Sequence, residues 1–569
     1  MVGSSKLETA RKLQQLVSDK TKKELENILK SYSHVKEEKF KKALAQKNEK
    51  SDTDRLRINN LWDSYKNIFE NKLVGFFDTR YFFPIVSRNG GFDIVIGNPP
   101  YVGEKGHMDM FREIKNSPLG KRFYQGQMDL FYFFFHVALD YLRNGGVLAY
   151  ITTNYYPTAR GARKLREDFK NRSIIKMLVN FNELKIFKPA AGQHNMVSIL
   201  TKGQDSMALV NTCITKHMGD ATSAILESVV SKQDNDTDYF KVIQKDLYDG
   251  EENYIRLVGN SMDSSDPTQS AINKIKRKGV LLETLCNVNV GLYTGADKVS
   301  NNYIQKYSLK LDKNEGIFII NKDEMKKLGL NSFECSKISS FYKNSDIFRW
   351  HTKECPDLFL VNISYPENKN INLDKIPNIF RHISRYEKIL RGRKSNDNGL
   401  RAVIAAGYWW SFTIRQIDFS NPKIVVPQRS PRNTFGYNEI SWYASADVYF
   451  ITEKDKLVSL KYILALLNSK LYYLWLYYRG KRKGEMLELY QQPLSEIPIK
   501  KIAAPDQKPF IEIVDKILAI TKSSDSLENP AKKEKVKEYE RQIDQMVYKL
   551  YGLTKEEIET IENSLAIRG

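Results

Sequence analysis

Four consecutive residues, Asn98-Pro99-Pro100-Tyr101, place an amide, a restrained backbone and an aromatic ring directly after a short apolar run. An exocyclic amine on a heterocycle, such as that of adenine, is a poor nucleophile because its lone pair is delocalised into the ring. Two acceptors on its two hydrogens would pull the nitrogen toward a pyramidal geometry and aim the lone pair at an electrophile. The Asn98 amide oxygen and the Pro99 carbonyl suit that task, since neither needs to ionise and proline fixes the chain. Tyr101 offers a face for stacking on the base. Positive charge develops on the nitrogen during attack, so acceptors already in place favour the transition state. The plainer reading of the same residues is a strand terminator with a turn-forming asparagine.

The elements that must position this tetrad are readable around it. Phe92, Ile94, Val95 and Ile96, bounded by Gly90-Gly91 and Gly97, form a strand expected at the centre of a parallel sheet. Two prolines cannot donate to a ladder and push the preceding residues into an extended turn at the strand's carboxyl end, where open α/β sheets bind ligands. From 73 to 203 the chain keeps an α/β rhythm: an apolar helix from Asp129 to Leu142, the turn RNGG, the strand GVLAYITTN, a basic helix, then strands near IIKMLVNF and MVSILTK. That alternation predicts a parallel sheet with crossover helices. Residues 4–60 read as helices, with a Ser5/Glu8 capping box and Leu7, Ala10, Leu13 and Val17 at helical spacing. The expected organisation is a helical connector over 1–72, the α/β part over 73–204, a polar linker over 205–280, a second α+β domain over 281–507 and a helical tail over 508–569.

Composition bounds the function. The 569-residue chain is 41% hydrophobic and has no uninterrupted apolar span long enough for a bilayer; FYFFFHVALDYL is broken by His136 and Asp140. Its start, MVGSSKLETARK, lacks the apolar core of a signal peptide. The expectation is a cytoplasmic protein with no membrane partner. Cys213, Cys286, Cys335 and Cys355 form no CxxC pair, and His351 with Cys355 is an isolated spacing, so neither disulfides nor a metal site are expected. Against 68 acidic residues stand 89 Lys and Arg, a net +21 that favours a polyanionic partner. Arg381, Arg385, Arg391, Arg393, Arg429, Arg432, Arg479, Lys481 and Arg482 concentrate in the second domain among Tyr, Trp and Asn, a mixture suited to phosphate contact and base-edge readout.

With these residues in view, the chain resembles the gamma-class adenine-specific DNA methyltransferases with an attached target-recognition domain, as in type IIG restriction-modification enzymes. The resemblance runs through GGFDIVIGNPPYV, DLFYFF, LRNGGVLAYITTN and IFKPAAGQHNMVSILTK, then through VGLYTGADKV, KIVVPQRSPRN, YILALLNSK and LSEIPIK. It implies a partial Rossmann-like methyltransferase sheet in 73–204, a DNA target-recognition domain in 281–507, S-adenosyl-L-methionine as methyl donor and duplex DNA as substrate. By the same resemblance Asn98, Pro99, Pro100 and Tyr101 are catalytic, and Phe187 in IFKP is the second aromatic against a flipped adenine. Arg429, Arg432, Arg479 and Lys481 are the expected DNA contacts. Extrusion of the base follows from geometry, since an amine inside a duplex cannot meet a bulky cofactor; it costs roughly a few kcal/mol.

The chain departs from the family at one point. No glycine-rich turn of the DPACGSG type follows a strand: Gly75, Gly90 and Gly91 are the only glycines between the first helices and the motif strand, and RNGG leads into a strand. Cofactor-binding residues are therefore not assigned, and an amino-terminal cofactor-binding or nuclease portion is an expected partner. The competing expectation is a noncatalytic DNA-recognition subunit or a fragment lacking the cofactor-binding half. A third, methylation of RNA or of a protein glutamine, fits the motif, but the basic second domain argues against a protein substrate.

Overall fold

The computed structural model describes residues 83–566 except 188–192, 260–265, 366, 394–397, 414–418, 420–421 and 523–528. The helices expected over 4–60 lie outside the described residues. Strand β1 (Phe92–Gly97) begins where only glycine fits: Gly91 has φ of 131°, and a Cβ there would stand 2.3 Å from the Tyr141 carbonyl oxygen. The chain then runs through helix α1 (Leu130–Tyr141), β2 (Leu142–Thr153), α2 (Arg163–Arg172), β3 (Ser173–Asn180), β4 (Leu184–Lys185), β5 (Asn195–Lys202), β6 (Leu209–Thr215), β7 (Gly219–Asp220) and β8 (Thr237–Ile243).

Six of these strands form one sheet in the order β1-β2-β5-β3-β6-β8. β1 pairs parallel to β2, as the crossover through α1 requires, and β3 parallel to β6, but β5 is antiparallel to both β2 and β3. The sheet is thus mixed where the sequence suggested a parallel one. The reason is the loop from 181 to 194, which among its described residues holds no crossover helix, so β5 returns antiparallel between its neighbours. β1 ends the strand order among the described residues instead of sitting centrally, and its Ile94 and Ile96 are 64% and 79% exposed. The segment read as a linker also changes meaning. β6 and β8 pair antiparallel and extend the sheet, joined by a connection that carries β7 and the helix Ser223–Ser231 before DNDTD leads into β8, while Asp266 caps the helix Pro267–Lys278 by accepting from Gln269 N at 2.8 Å.

The core beneath the sheet is aromatic. α1 buries Phe131, Tyr132, Phe133, Phe135, Ala138 and Leu139 against Leu148, Tyr150 and Phe169. The Phe135 ring lies 5.0 Å from those of Tyr150 and Phe169, and burial of such a side chain contributes about 2 kcal/mol.

The later residues build two further cores. In the first, strands Cys286–Val290, Val448–Glu453, Lys423–Pro427 and Gly436–Asn438 form an antiparallel sheet packed by the helices Leu460–Leu467 and Lys470–Arg479. The tail helices join this core: Ala504–Thr521 buries Val514 and Ile517, and Pro530–Tyr551 buries Ile543, Val547, Tyr548 and Tyr551 along one stripe. The second core covers the strands Ile319–Asn321, Leu358–Val361 and Ile338–Tyr342. The α/β sheet followed by an α+β domain and a helical tail is therefore the observed layout. Among the described residues no helix is long and apolar enough to cross a membrane. All four cysteines are free, Cys213 and Cys286 buried, Cys335 and Cys355 exposed.

Candidate active site

The carboxyl edge of the sheet gathers the polar residues that sequence reading placed on separate segments. Asn98 follows β1, Asn154 follows β2, Asn180 ends β3, and Asn195 opens the antiparallel β5 at that same edge. Asn154 Nδ2 donates to Asn180 Oδ1 at 2.9 Å, the Asn182 amide donates to that same oxygen at 3.1 Å, and Asn154 N donates to the His194 carbonyl at 2.9 Å. Asn195 Nδ2 reaches the Thr152 carbonyl at 3.4 Å. These amides hold one another, and none needs a charge to do so.

Asn98 stands apart from this network. It is exposed, and its side chain has no hydrogen-bond partner among the described residues, whereas Pro99 is buried and Pro100 exposed. The half-buried Tyr101 donates its hydroxyl to the Ile151 carbonyl at 3.1 Å, and its ring meets Phe131 edge-on at 6.1 Å. Burial pushes the Tyr101 phenol up to about 12, against a lowering contribution from Asn195, so the hydroxyl stays protonated as a donor.

The segment after the motif is clamped to the start of α1. Leu130 N donates to the Val102 carbonyl at 2.9 Å and Glu104 N to the Met128 carbonyl at 2.9 Å, while the buried Glu104 carboxylate accepts from Met128 N at 3.1 Å and from the Tyr124 hydroxyl. Asp129 is raised above the usual carboxylate range by burial, opposed by the amides of Leu130 and Val102. The loop after β2 is pinned from below: Arg166 donates to the carbonyls of Tyr156 at 2.8 Å, Ala159 at 2.7 Å and Glu252 at 3.0 Å. Burial lowers this guanidinium to about 10. The sequence marked α2 only as basic, and nothing in its spacing identified Arg166 as a loop anchor.

Phe187 is half-buried on the loop between β3 and β5, directly before residues outside the described set. That loop is fixed at its start by Asn182, which has φ of 49° and whose carbonyl accepts from His194 Nδ1 at 2.8 Å.

The expected DNA contacts divide into two kinds. Arg429 and Lys481 have side chains 48% and 41% exposed and share Glu488, at 3.1 and 3.2 Å. Arg432 is exposed and stands near Arg349, whose charge lowers its guanidinium before burial does. Arg479 is different. It is 5% exposed, donates to the Gly259 carbonyl and is lowered to about 9 by burial, so it joins the helix Lys470–Arg479 to the segment that follows β8 rather than facing solvent. Arg393 is likewise internal, with its donors on the carbonyls of Leu390, Thr294, Trp409 and Ser411. A second grouping escaped the sequence because a turn creates it: His217, Asp234 and Asp236 bring ligand-type atoms within 4.8 Å of one another, with His217 Nε2 2.9 Å from Asp234 Oδ1.

The described residues do not by themselves form a cradle for a nucleoside cofactor. No strand of the sheet β1–β8 is followed by a Gly-x-Gly turn, and no strand among the described residues pairs with β1 on the side away from β2.

Comparison with known proteins finds matches in both parts of the chain. Residues 9–187 match the Eco57I restriction-modification methylase family and residues 364–499 the TaqI-like C-terminal specificity domain. The chain is 25% identical over 433 residues to the Type II methyltransferase M.HindII of Haemophilus influenzae, covering 72% of this chain and 75% of that one. It is 22% identical to the Type II methyltransferase M.BstVI of Geobacillus stearothermophilus, covering 83% and 76%. Among solved structures it resembles the Type IIL restriction-modification enzyme MmeI, with TM-score 0.56 at 14% identity, covering 86% of this chain and 58% of that one, a likeness of fold. A match to a restriction-modification methylase joined to a match to a TaqI-like specificity domain supports a restriction-modification DNA methyltransferase with a recognition domain.

Proposed function

We propose that the chain methylates the N6 amine of an adenine turned out of duplex DNA, with S-adenosylmethionine as donor. The observation that carries this reading is Asn98: an exposed amide without a partner among the described residues, set on a proline-stiffened turn at the carboxyl edge of the sheet beside a tethered tyrosine. Its oxygen and the Pro99 carbonyl accept the two amine hydrogens, and Tyr101 and Phe187 stack on the base. No protein group has to ionise, which suits an amine that reacts as a neutral nucleophile. Arg429, Arg432 and Lys481 contact the DNA backbone through the recognition part, which makes binding salt-dependent. Site-specific methylation of this kind belongs to restriction-modification.

A second reading is favoured by β1, which pairs only with β2 among the described residues and whose Ile94 and Ile96 are exposed. On it, a cofactor-binding portion completes the sheet before methyl transfer occurs, and this chain alone recognises DNA. One experiment separates the two: tritiated methyl transfer from S-adenosylmethionine to mixed-sequence duplex DNA by the full chain and by Asn98→Ala. Transfer lost in the variant supports the enzyme reading. Salt-dependent DNA binding without transfer supports the second.

A further inference from the structure

A small antiparallel sheet made of Arg429–Ser430, Met486–Glu488 and Lys481–Lys483 has different partners at its two ends. At its base, Lys481 lies opposite Glu488, and Glu488 also holds Arg429, the two cations keeping much of their side chains in solvent. At its tip, the turn Gly484-Glu485 leaves the recognition part and meets the β3–β5 loop. Glu485 N donates to Glu183 Oε1 at 2.8 Å, and Asn182 Nδ2 and the Tyr477 hydroxyl, the latter at 3.1 Å, donate to Glu485 Oε1. Glycine lets the turn close on that carboxylate: Gly484 has φ of 60°, and a Cβ there would stand 1.7 Å from Glu183 Oε1 and 2.6 Å from His194 Cε1 unless those side chains moved.

We propose that this hairpin couples DNA contact to the placement of the Phe187 loop, with Glu485 as the positioning residue. The inference rests on the reading of the chain as a DNA-binding methyltransferase. A phosphate drawn to Arg429 or Lys481 competes with Glu488 for both cations, which shifts the base of the hairpin. A paired hairpin is stiffer than the loop it touches, so the shift is delivered at the tip. There Glu485 holds Asn182 and Glu183, the residues that set the loop's departure from β3. A cavity of about 70 Å³ lined by Asn154, Asn180, Asn182, Tyr477 and Arg482 lies beside the turn and gives these side chains room to take a second seating. Two sites coupled in this way require differential contacts in two states, and the shared carboxylate Glu488 and the tip carboxylate Glu485 are where those contacts change.

The test follows amide hydrogen exchange in residues 181–187 of the full chain, with and without duplex DNA, alongside DNA affinity by fluorescence anisotropy at low salt. Glu485→Ala removes the acceptor; Glu485→Gln retains it. DNA is expected to slow exchange in the loop at least about threefold in the wild type and in Glu485→Gln. In Glu485→Ala the slowing disappears while the affinity stays within about twofold. Slowing that persists in Glu485→Ala, or its absence in a wild type that binds DNA, overturns the coupling. Loss of affinity in Glu485→Ala also overturns it, by showing that the turn merely supports the recognition part. A wild-type chain that binds no DNA overturns the DNA reading itself.

Discussion

The Tyr101 hydroxyl donates to the Ile151 carbonyl at 3.1 Å, so the aromatic ring of the NPPY turn is hung from the neighbouring strand as well as from its own backbone. The tether and the ring can be separated by substitution. Tyr101→Phe keeps the stacking face and loses one part-buried hydrogen bond, about 1 kcal/mol, and should transfer methyl groups within about fivefold of wild type. Tyr101→Ala removes base stacking worth on the order of 1–3 kcal/mol and should slow transfer about ten- to a hundredfold. Single-turnover rates decide; equal losses in both variants would assign the role to the tether.

Arg166 predicts a stability effect away from the reacting groups. Its guanidinium serves the carbonyls of Tyr156, Ala159 and Glu252, of which Ala159 also accepts from Ala162 N at 3.1 Å, and Arg166→Met removes the donor to all three. The expected cost is about 3 kcal/mol, seen as a lowered thermal midpoint and faster hydrogen exchange in the loop following β2. Arg166→Lys should recover little, because an ammonium cannot span the planar fork. A midpoint unchanged in the methionine variant would refute the anchoring role.

The tetrad and its strand were legible because proline and glycine act locally: the end of β1 and the extended turn need no knowledge of the rest of the fold. The position of β1 in its sheet was not, since an apolar run reports burial without naming neighbours, and β1 proved terminal among the described strands. The polar stretch DNDTD looked like a linker because the lead-in to a paired strand and an exposed loop share one composition. Arg429, Arg393 and Arg479 are identical in sequence terms; only burial and the carbonyls around the last two separate a surface cation from an internal brace. The recognition domain was found through its motifs, and the seat of its hairpin on Glu183 depends on residues some three hundred positions apart.

Asp544 should make stability depend on pH. It is 4% exposed, accepts from Lys470 N at 2.8 Å, and burial pushes its carboxyl up to about 7, against the pull of Arg349 and Lys470. A carboxyl raised in the folded state binds its proton more tightly there than in the unfolded chain. Its contribution to stability is therefore complete below about pH 4 and lost as pH rises through 7. Asp544→Asn keeps the acceptor without the charge, so its advantage over wild type should grow from pH 5 to pH 8 by on the order of 2–4 kcal/mol. Thermal melts at the two pH values test this, and a constant difference would contradict it.

Glu488 offers the sharpest test of the DNA-facing surface, because one buried carboxylate restrains both Arg429 and Lys481. In Glu488→Gln both cations lose their internal counter-charge while the Tyr490 hydroxyl, which donates to Glu488 Oε1 at 3.1 Å, still finds an acceptor. An exposed ion pair is worth about 0–1 kcal/mol, so freeing two should tighten duplex binding about two- to tenfold at low salt. Lys481→Ala should instead weaken binding and reduce the slope of log K against log salt by about 0.9, the signature of one phosphate contact. Arg479→Ala should leave that slope unchanged and lower the thermal midpoint, because its guanidinium faces Gly259 and Asp249 inside the protein. Titrations at three salt concentrations distinguish these outcomes, and a slope altered by Arg479→Ala but not by Lys481→Ala would move the DNA surface elsewhere on the recognition domain.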